Sequence, residues 1–309
     1  MTGGGDDKRP RAQRAPEGRG RGERADPAER ANEARSERET LQALRPESVT
    51  VDPWQALRAH TPARIALGRS GVSLPTAELL RFDLAHAMAR DAVHTPFEIE
   101  LVREALTAHG FETITVESAA ADRTEYLHRP DLGRRLSARS EALLADLDDA
   151  TAPACDVLYV VGDGLSALAV HRHAAALLIE LRPRLEAQGF DLGPVVLAQQ
   201  ARVALGDPIG AALRARCVVM LIGERPGLSS PDSLGAYLTW APRVGRSDAE
   251  RNCVSNIRPE GLAPADAAHK IAWLLGAAKR LGATGVGLKD ESDAPVLDVA
   301  THPRELDAP

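Results

Sequence analysis

The sequence predicts an α/β fold: a doubly wound, mostly parallel, Rossmann-like sheet, with an N-terminal helical extension and a disordered N-terminal tail. Three observations carry this expectation. Wholly apolar runs at Val157-Leu158-Tyr159-Val160-Val161 and Cys217-Val218-Val219-Met220-Leu221-Ile222, with Val195 to Gln199 between them, fit strands buried on both faces of a parallel sheet. Each run gives way to a turn and, after the first two, to a helix-like pattern, the alternation typical of such sheets. Up to Ser48, by contrast, the chain is Arg-, Glu-, Gly-, Ala- and Pro-rich, with Leu41 and Leu44 as its large aliphatic residues. Such a segment cannot bury enough apolar surface to offset its ordering entropy. The expected organisation is a disordered charged tail over 1–50, a mainly helical region over 51–150, a ligand-binding α/β domain over 151–295 and a short C-terminal tail over 296–309.

The elements follow in order. Arg64 to Gly68 reads as a short strand or extended segment. Thr76 suits an N-cap, and Leu79, Leu80, Leu84 and Met88 at helical spacing predict an amphipathic helix to about Arg90. A second helix is expected from Pro96 to His109, and a third from Ser137 to Asp148 after the turn at Arg129 to Arg135. The run at Val157 ends in Gly162-Asp163-Gly164-Leu165-Ser166, a sharp turn into a long helix ending near Gly189. After the strand at Val195 comes a loop from Arg202 to Pro208, where Asp207 suits an N-cap and Pro208 the first position of a short helix to Arg214. The strand at Cys217 breaks at Gly223-Glu224-Arg225-Pro226-Gly227 into what reads as a long, orderly loop reaching Asn256. Pro264 opens a final helix to about Leu281, with Ile271, Leu274, Leu275 and Ala278 as its buried stripe.

Composition excludes several classes. A formal net charge of -6 argues against a nucleic-acid-binding surface. No apolar run approaches the ~18 residues of a membrane span, and no apolar core follows Met1 to Lys8 as in a signal peptide, so a cytoplasmic protein is expected. Cys155, Cys217 and Cys253 are widely spaced, supporting neither a disulfide framework nor a zinc site.

In parallel sheets ligands gather beyond the carboxyl ends of the strands. The loops there would bring Asp163, Gly164 and Ser166 together with Arg202 and Val203 and with Glu224 and Arg225. Gly162 and Gly164 would let backbone N–H groups approach a ligand, and a helix starting after Ser166 would favour an acceptor-rich group. Plain helix capping by Asp163 and Ser166 is the competing reading. Standard nucleotide motifs fail: there is neither Gly-x-Gly-x-x-Gly after a strand nor a P-loop, and no Gly-x-Ser-x-Gly elbow. His171 and His173 stand two apart on a helix, facing different ways, which is poor metal-ligand geometry.

Four segments taken together, Arg129-Pro130-Asp131-Leu132-Gly133-Arg134-Arg135, Asp163-Gly164-Leu165-Ser166, Gly223-Glu224-Arg225-Pro226-Gly227-Leu228 and Asn252-Cys253-Val254-Ser255-Asn256-Ile257, resemble the light chain of ethanolamine ammonia-lyase. The resemblance runs from about Trp54 to Asp290 in the family's order. It implies a subunit of an adenosylcobalamin-dependent lyase converting ethanolamine to acetaldehyde and ammonia, with a β/α-barrel heavy chain holding most of the substrate and the cofactor lying between the two chains. It implies Val203, Glu224 and Cys253 as cofactor-binding residues. Asp163, Gly164, Ser166 and Arg225 are secondary candidates for the pocket. No catalytic residue and no metal ligand are assigned to this chain: the Asp-x-His-x-x-Gly segment with which other cobalamin proteins replace the lower base is missing from the sequence. Glu224 would accept hydrogen bonds from amide or ribose donors, Val203 would supply apolar contact, and Cys253 a small polarizable contact. The family's frequent home in a bacterial microcompartment is a second expected location. A free-standing α/β module binding a nucleotide-like ligand is the alternative function.

Overall fold

A computed structural model of the chain describes residues 49–147 and 155–293. The expected C-terminal tail, and all of the expected N-terminal tail but Val49 and Thr50, lie outside the described residues. By its contacts the chain divides into two units, residues 1–75 and 76–309.

In the first unit Asp52 caps a 3-10 turn, Pro53–Ala59, by accepting from the Trp54 N–H at 2.9 Å. Thr50 and Arg69 exchange backbone hydrogen bonds of 2.7 and 2.9 Å. The segment from Arg64 to Gly68, expected as a short strand or extended segment, forms no strand. Ala66 and Gly68 take φ values of 50° and 78°, left-handed conformations that interrupt an extended run.

The second unit opens with helices α1 (Thr76–His94) and α2 (Ile99–Thr107), edge strand β1 (Thr113–Glu117), and helices α3 (Arg123–His128) and α4 (Ala138–Leu147). It continues with β2 (Val157–Gly162), α5 (Ala167–Ala187), β3 (Leu192–Gln199), α6 (Gly206–Ala212), β4 (Cys217–Gly223), β5 (Leu234–Trp240), β6 (Arg251–Ile257) and α7 (Pro264–Leu281). The strands form one mixed sheet of six in the order β1-β3-β2-β4-β5-β6. The pairings β1–β3, β3–β2 and β2–β4 are parallel, whereas β4–β5 and β5–β6 are antiparallel. This is an α/β architecture. Among the described residues no helix is long and apolar enough to cross a membrane.

Alternation along the strands divides the core in two. Val157, Tyr159 and Val161 face α2, α5 and α7, joined by Leu234, Ala236, Leu238 and Val254. Leu158 and Val160 face the other way, against Leu144 of α4 and Ile209 of α6, with Leu205 and Met220. β2 and β4 are buried along their whole length, as their unbroken apolar sequences anticipated.

Three further expectations are corrected. The long loop expected up to Asn256 contains two strands. In β5 the residues Leu234, Ala236 and Leu238 point into one core with period two, and polar β6 pairs along it. In α1 the apolar spacing is present but its residues are not buried: Leu79, Leu80, Leu84 and Met88 are 49–63% exposed. A stripe marks a helix face without supplying the partner that covers it. Finally, Asp207 does not cap α6, which begins one residue earlier; its carboxylate turns instead to Arg251.

Candidate functional site

β3, β2 and β4 are parallel neighbours, so their carboxyl ends deliver three loops to one edge of the sheet. The Asp163 carboxylate accepts from the Ala201 N–H at 2.9 Å, tying the loop after β2 to the loop after β3. The Leu165 N–H donates to the Gly223 carbonyl at 2.9 Å, tying the same loop to the end of β4. Gly164 takes φ +56°, and a Cβ there would lie 2.2 Å from the Gly223 oxygen. A Cβ on Gly223 would in turn stand 2.0 Å from the Ser166 carbonyl oxygen. The approach is therefore possible only between glycines.

Asp163, Gly164 and Ser166 are buried, and the polar groups of all three are used within the chain. Arg123 donates through Nη1 to Asp163 at 3.3 Å and to the Gly164 carbonyl at 2.8 Å. Burial pushes the Asp163 carboxyl up to about 6, against the opposing pull of the Ala201 N–H and Arg123. Ser166 caps α5, its Oγ accepting from Ala169 N–H at 3.3 Å and donating to the Pro231 carbonyl at 2.8 Å. These residues hold the edge in shape. Arg225 is exposed.

Glu224, Cys253 and Val203 lie on the opposite, accessible side of this framework. Glu224 is half-buried at the end of β4; its Oε2 accepts from the Ser233 Oγ–H and from the Asn256 N–H at 3.2 Å. Gly235 lies beneath it, where a Cβ would come 2.9 Å from Glu224 Oε1. Cys253 pairs with Tyr237 across β5 and β6, so both side chains share the α6 side of the sheet. Cys253 and Ser255 remain exposed there, Sγ and Oγ 3.1 Å apart. This part of the sheet is open, whereas its reverse is covered by α7. Cys253 is exposed as a residue, yet burial around the sulfur pushes its thiol up, with the Glu224 charge adding to the effect. The Tyr237 hydroxyl is raised too, first by burial and then by Cys253 and Glu224. Both stay protonated at neutral pH, so neither supplies a nucleophile. Val203 is half-buried in the 3-10 turn Val203–Leu205, packed with Tyr237 against the α6-side core.

The structure thus gathers Glu224 and Cys253 with Tyr237, Ser255, Ser233 and Gly235, and places Val203 on the same face. Tyr237, Ser233 and Gly235 lie in the segment that reads as one long, orderly loop lining a site; a strand, β5, paired with β4 and β6, is what brings them there. His173 is buried with Nε2 3.5 Å from Asp232, and His171 accepts from the Glu98 N–H at 3.0 Å. Among the described residues no His/Cys/Asp/Glu cluster could hold a metal ion.

The segment from Arg129 to Arg135 supports the Val203 turn from outside. Gly133 lies so close to Tyr126 and Arg202 that a Cβ would stand 3.0 and 2.8 Å from them. The Gly133 carbonyl accepts from the Arg202 N–H at 2.8 Å, Tyr126 Oη–H donates to the Ala201 carbonyl at 3.0 Å, and the Arg202 guanidinium lies 4.2 Å above the Tyr126 ring.

Residues 51–289 match the family model described as ethanolamine ammonia-lyase light chain (EutC). The chain is 55% identical over 262 residues to the ethanolamine ammonia-lyase small subunit of Ralstonia nicotianae, an alignment covering 85% of this chain and 97% of that one. It is 55% identical over 250 residues to the small subunit from Xanthomonas campestris pv. campestris (81% and 92% covered), and 56% over 251 residues to that from Azotobacter vinelandii (81% and 93%).

Proposed function

The chain belongs to the ethanolamine ammonia-lyase light-chain family, and from that premise we propose that it covers one side of adenosylcobalamin, held between it and a β/α-barrel heavy chain. The assembled enzyme would convert ethanolamine to acetaldehyde and ammonia, with the heavy chain binding most of the substrate. One observation carries the reading: the open face of β5 and β6 exposes Cys253 and Ser255 beside the half-buried Glu224 carboxylate, with the Cys253 thiol and Tyr237 hydroxyl both held protonated. A surface of that kind suits a broad macrocycle edged with amides better than a small substrate undergoing acid–base chemistry. When bound, the cofactor supplies the radical chemistry through its cobalt–carbon bond.

The residues of this chain then have binding roles. Glu224, held by Ser233 Oγ–H and Asn256 N–H on one oxygen, presents the other as an acceptor for amide or ribose donors. A charged acceptor of this kind contributes about 1.5–3 kcal/mol when well made. Val203 and Tyr237 offer apolar contact, and Cys253 with Ser255 a small polar one. Asp163, Gly164 and Ser166 fix the edge from which these groups project. The parallel half of the sheet, with helices on both faces, supports a Rossmann-like reading of the domain.

The test is co-production with a barrel-type heavy chain, followed by assay of acetaldehyde release from ethanolamine and adenosylcobalamin. Activity should require this chain. Equal activity without it would refute the subunit role.

A further inference from the structure

Glu224 owes its position to two donors, and each donor belongs to a larger ring of contacts. Its Oε2 accepts from Ser233 Oγ–H and from the Asn256 N–H, and its own N–H donates to the Ser233 carbonyl at 2.9 Å. Asp232 precedes Ser233 in the chain, and Arg258 follows Asn256 by two residues. Arg258 donates through Nε to Asn256 Oδ1 at 3.0 Å, while its Nη1 lies 4.0 Å from Asp232 Oδ1. The path from Glu224 through Ser233, Asp232, Arg258 and Asn256 back to Glu224 is therefore closed, by the chain itself at one step and by polar contacts at the others.

The ring is fastened to α5 from behind. Arg172 Nη1 donates to Asp232 Oδ2 at 2.7 Å, and His173 Nε2 lies 3.5 Å from the same oxygen. Ser166, the cap of α5, donates to the carbonyl of Pro231, the residue before Asp232. The Asp232, His173 and Arg258 side chains are 11%, 8% and 13% exposed, so little water competes for these contacts. Asn256 takes φ +58°, a left-handed conformation in which its carbonyl accepts from the Leu262 N–H at 2.8 Å. A buried ion pair adds little net stability over an apolar replacement, but it fixes direction. Here the direction is that of Glu224: a carboxylate held on one oxygen presents the other without the rotamer entropy a free glutamate would lose on binding.

We propose that Asp232 and Arg258 are positioning residues for the cofactor-covering face, acting through Ser233 and Asn256 to keep the Glu224 carboxylate aimed at its ligand. This rests on the cofactor-covering role proposed above.

The test is a double-mutant cycle on the assembled light–heavy complex, read by absorbance titration with adenosylcobalamin. Asp232→Asn keeps the shape and removes the charge; Arg172, half-exposed, has water to replace the lost partner. Arg258→Gln cuts the ring from the other side, so that either variant reports if the other fails to assemble. In the wild-type background each should raise the dissociation constant at least about threefold, and by no more than the roughly tenfold of Glu224→Ala, because the effect passes through that carboxylate. In a Glu224→Ala background the same changes should leave the dissociation constant within about twofold, whereas a merely structural role would weaken binding equally in both backgrounds. Equal losses in the two backgrounds, unchanged affinity in the wild-type background, or failure of both variants to assemble would overturn the assignment. A wild-type complex that does not bind adenosylcobalamin, or that binds it unchanged after Glu224→Ala, would instead refute the reading on which the assignment rests.

Discussion

Removing the Arg251 guanidinium should destabilise the chain far more than removing both members of its ion pair. Arg251 donates to the two Asp207 oxygens at 2.7 Å each and to Thr239 Oγ at 2.7 Å. The two side chains are 2% and 3% exposed, so solvent does not compensate either charge. Arg251→Met leaves a buried carboxylate without its partner, an arrangement costing about 3–5 kcal/mol. For a folded region of this size, ~2–4 °C of melting temperature per kcal/mol translates that into a drop on the order of 10 °C. The double variant Asp207→Leu with Arg251→Met removes both charges and should recover most of the loss, since a buried pair and an apolar replacement are of similar stability. Thermal and urea unfolding of the purified chain, wild type against single and double variants, reads the difference directly. Equal losses in single and double variants, or a single-variant loss below about 1 kcal/mol, would refute the reasoning.

A second prediction concerns pH. The Asp163 carboxyl, raised from its ordinary 3.8 to about 6, binds its proton more tightly in the folded chain. Its contribution to stability is therefore fully present below pH 4 and lost as pH rises through 6, by up to about 3 kcal/mol at 1.36 kcal/mol per pH unit. Urea midpoints between pH 4 and 7 should show this decline in the wild type and not in Asp163→Asn; parallel curves would contradict it. A third concerns Gly235, where a methyl group would stand 2.9 Å from Glu224 Oε1 and displace the carboxylate. Gly235→Ala and Glu224→Ala should each raise the cofactor's dissociation constant in the assembled enzyme roughly tenfold, about 1.4 kcal/mol. Absorbance titration that finds both unchanged would remove Glu224 from the site.

What could be read from the sequence was whatever burial on both faces writes into it. β2 and β4 announce themselves because every position must be apolar, and α7 because Pro264 and the stripe from Ile271 to Ala278 agree. β1 carries only Ile114 and Val116 in alternation, too short a pattern to mark a strand. β6, with Arg251, Asn252, Cys253, Ser255 and Asn256, has the composition of a loop, since one of its faces is open. The site divided in the same way. Glu224 was legible because it follows the abrupt end of an apolar strand. Gly235 and Tyr237 were legible only as part of an orderly loop, because their nearness to Glu224 and Cys253 arises from hairpin register, which local composition does not encode. Asp207 matched a cap signature, yet a buried arginine from a distant strand competed for its carboxylate and won.

The contact between Gly164 and Gly223 bears on how the ligand edge can move. With backbone against backbone and the Leu165 N–H bonded to the Gly223 carbonyl at 2.9 Å, the turn after β2 and the start of the Glu224 loop have no compressible side chain between them. They shift as one shelf or not at all. On the proposed cofactor-covering role, an opening that admits or releases the cofactor would come from elsewhere, by swinging the Val203 turn or parting the subunits, while the shelf keeps Glu224 at a fixed height.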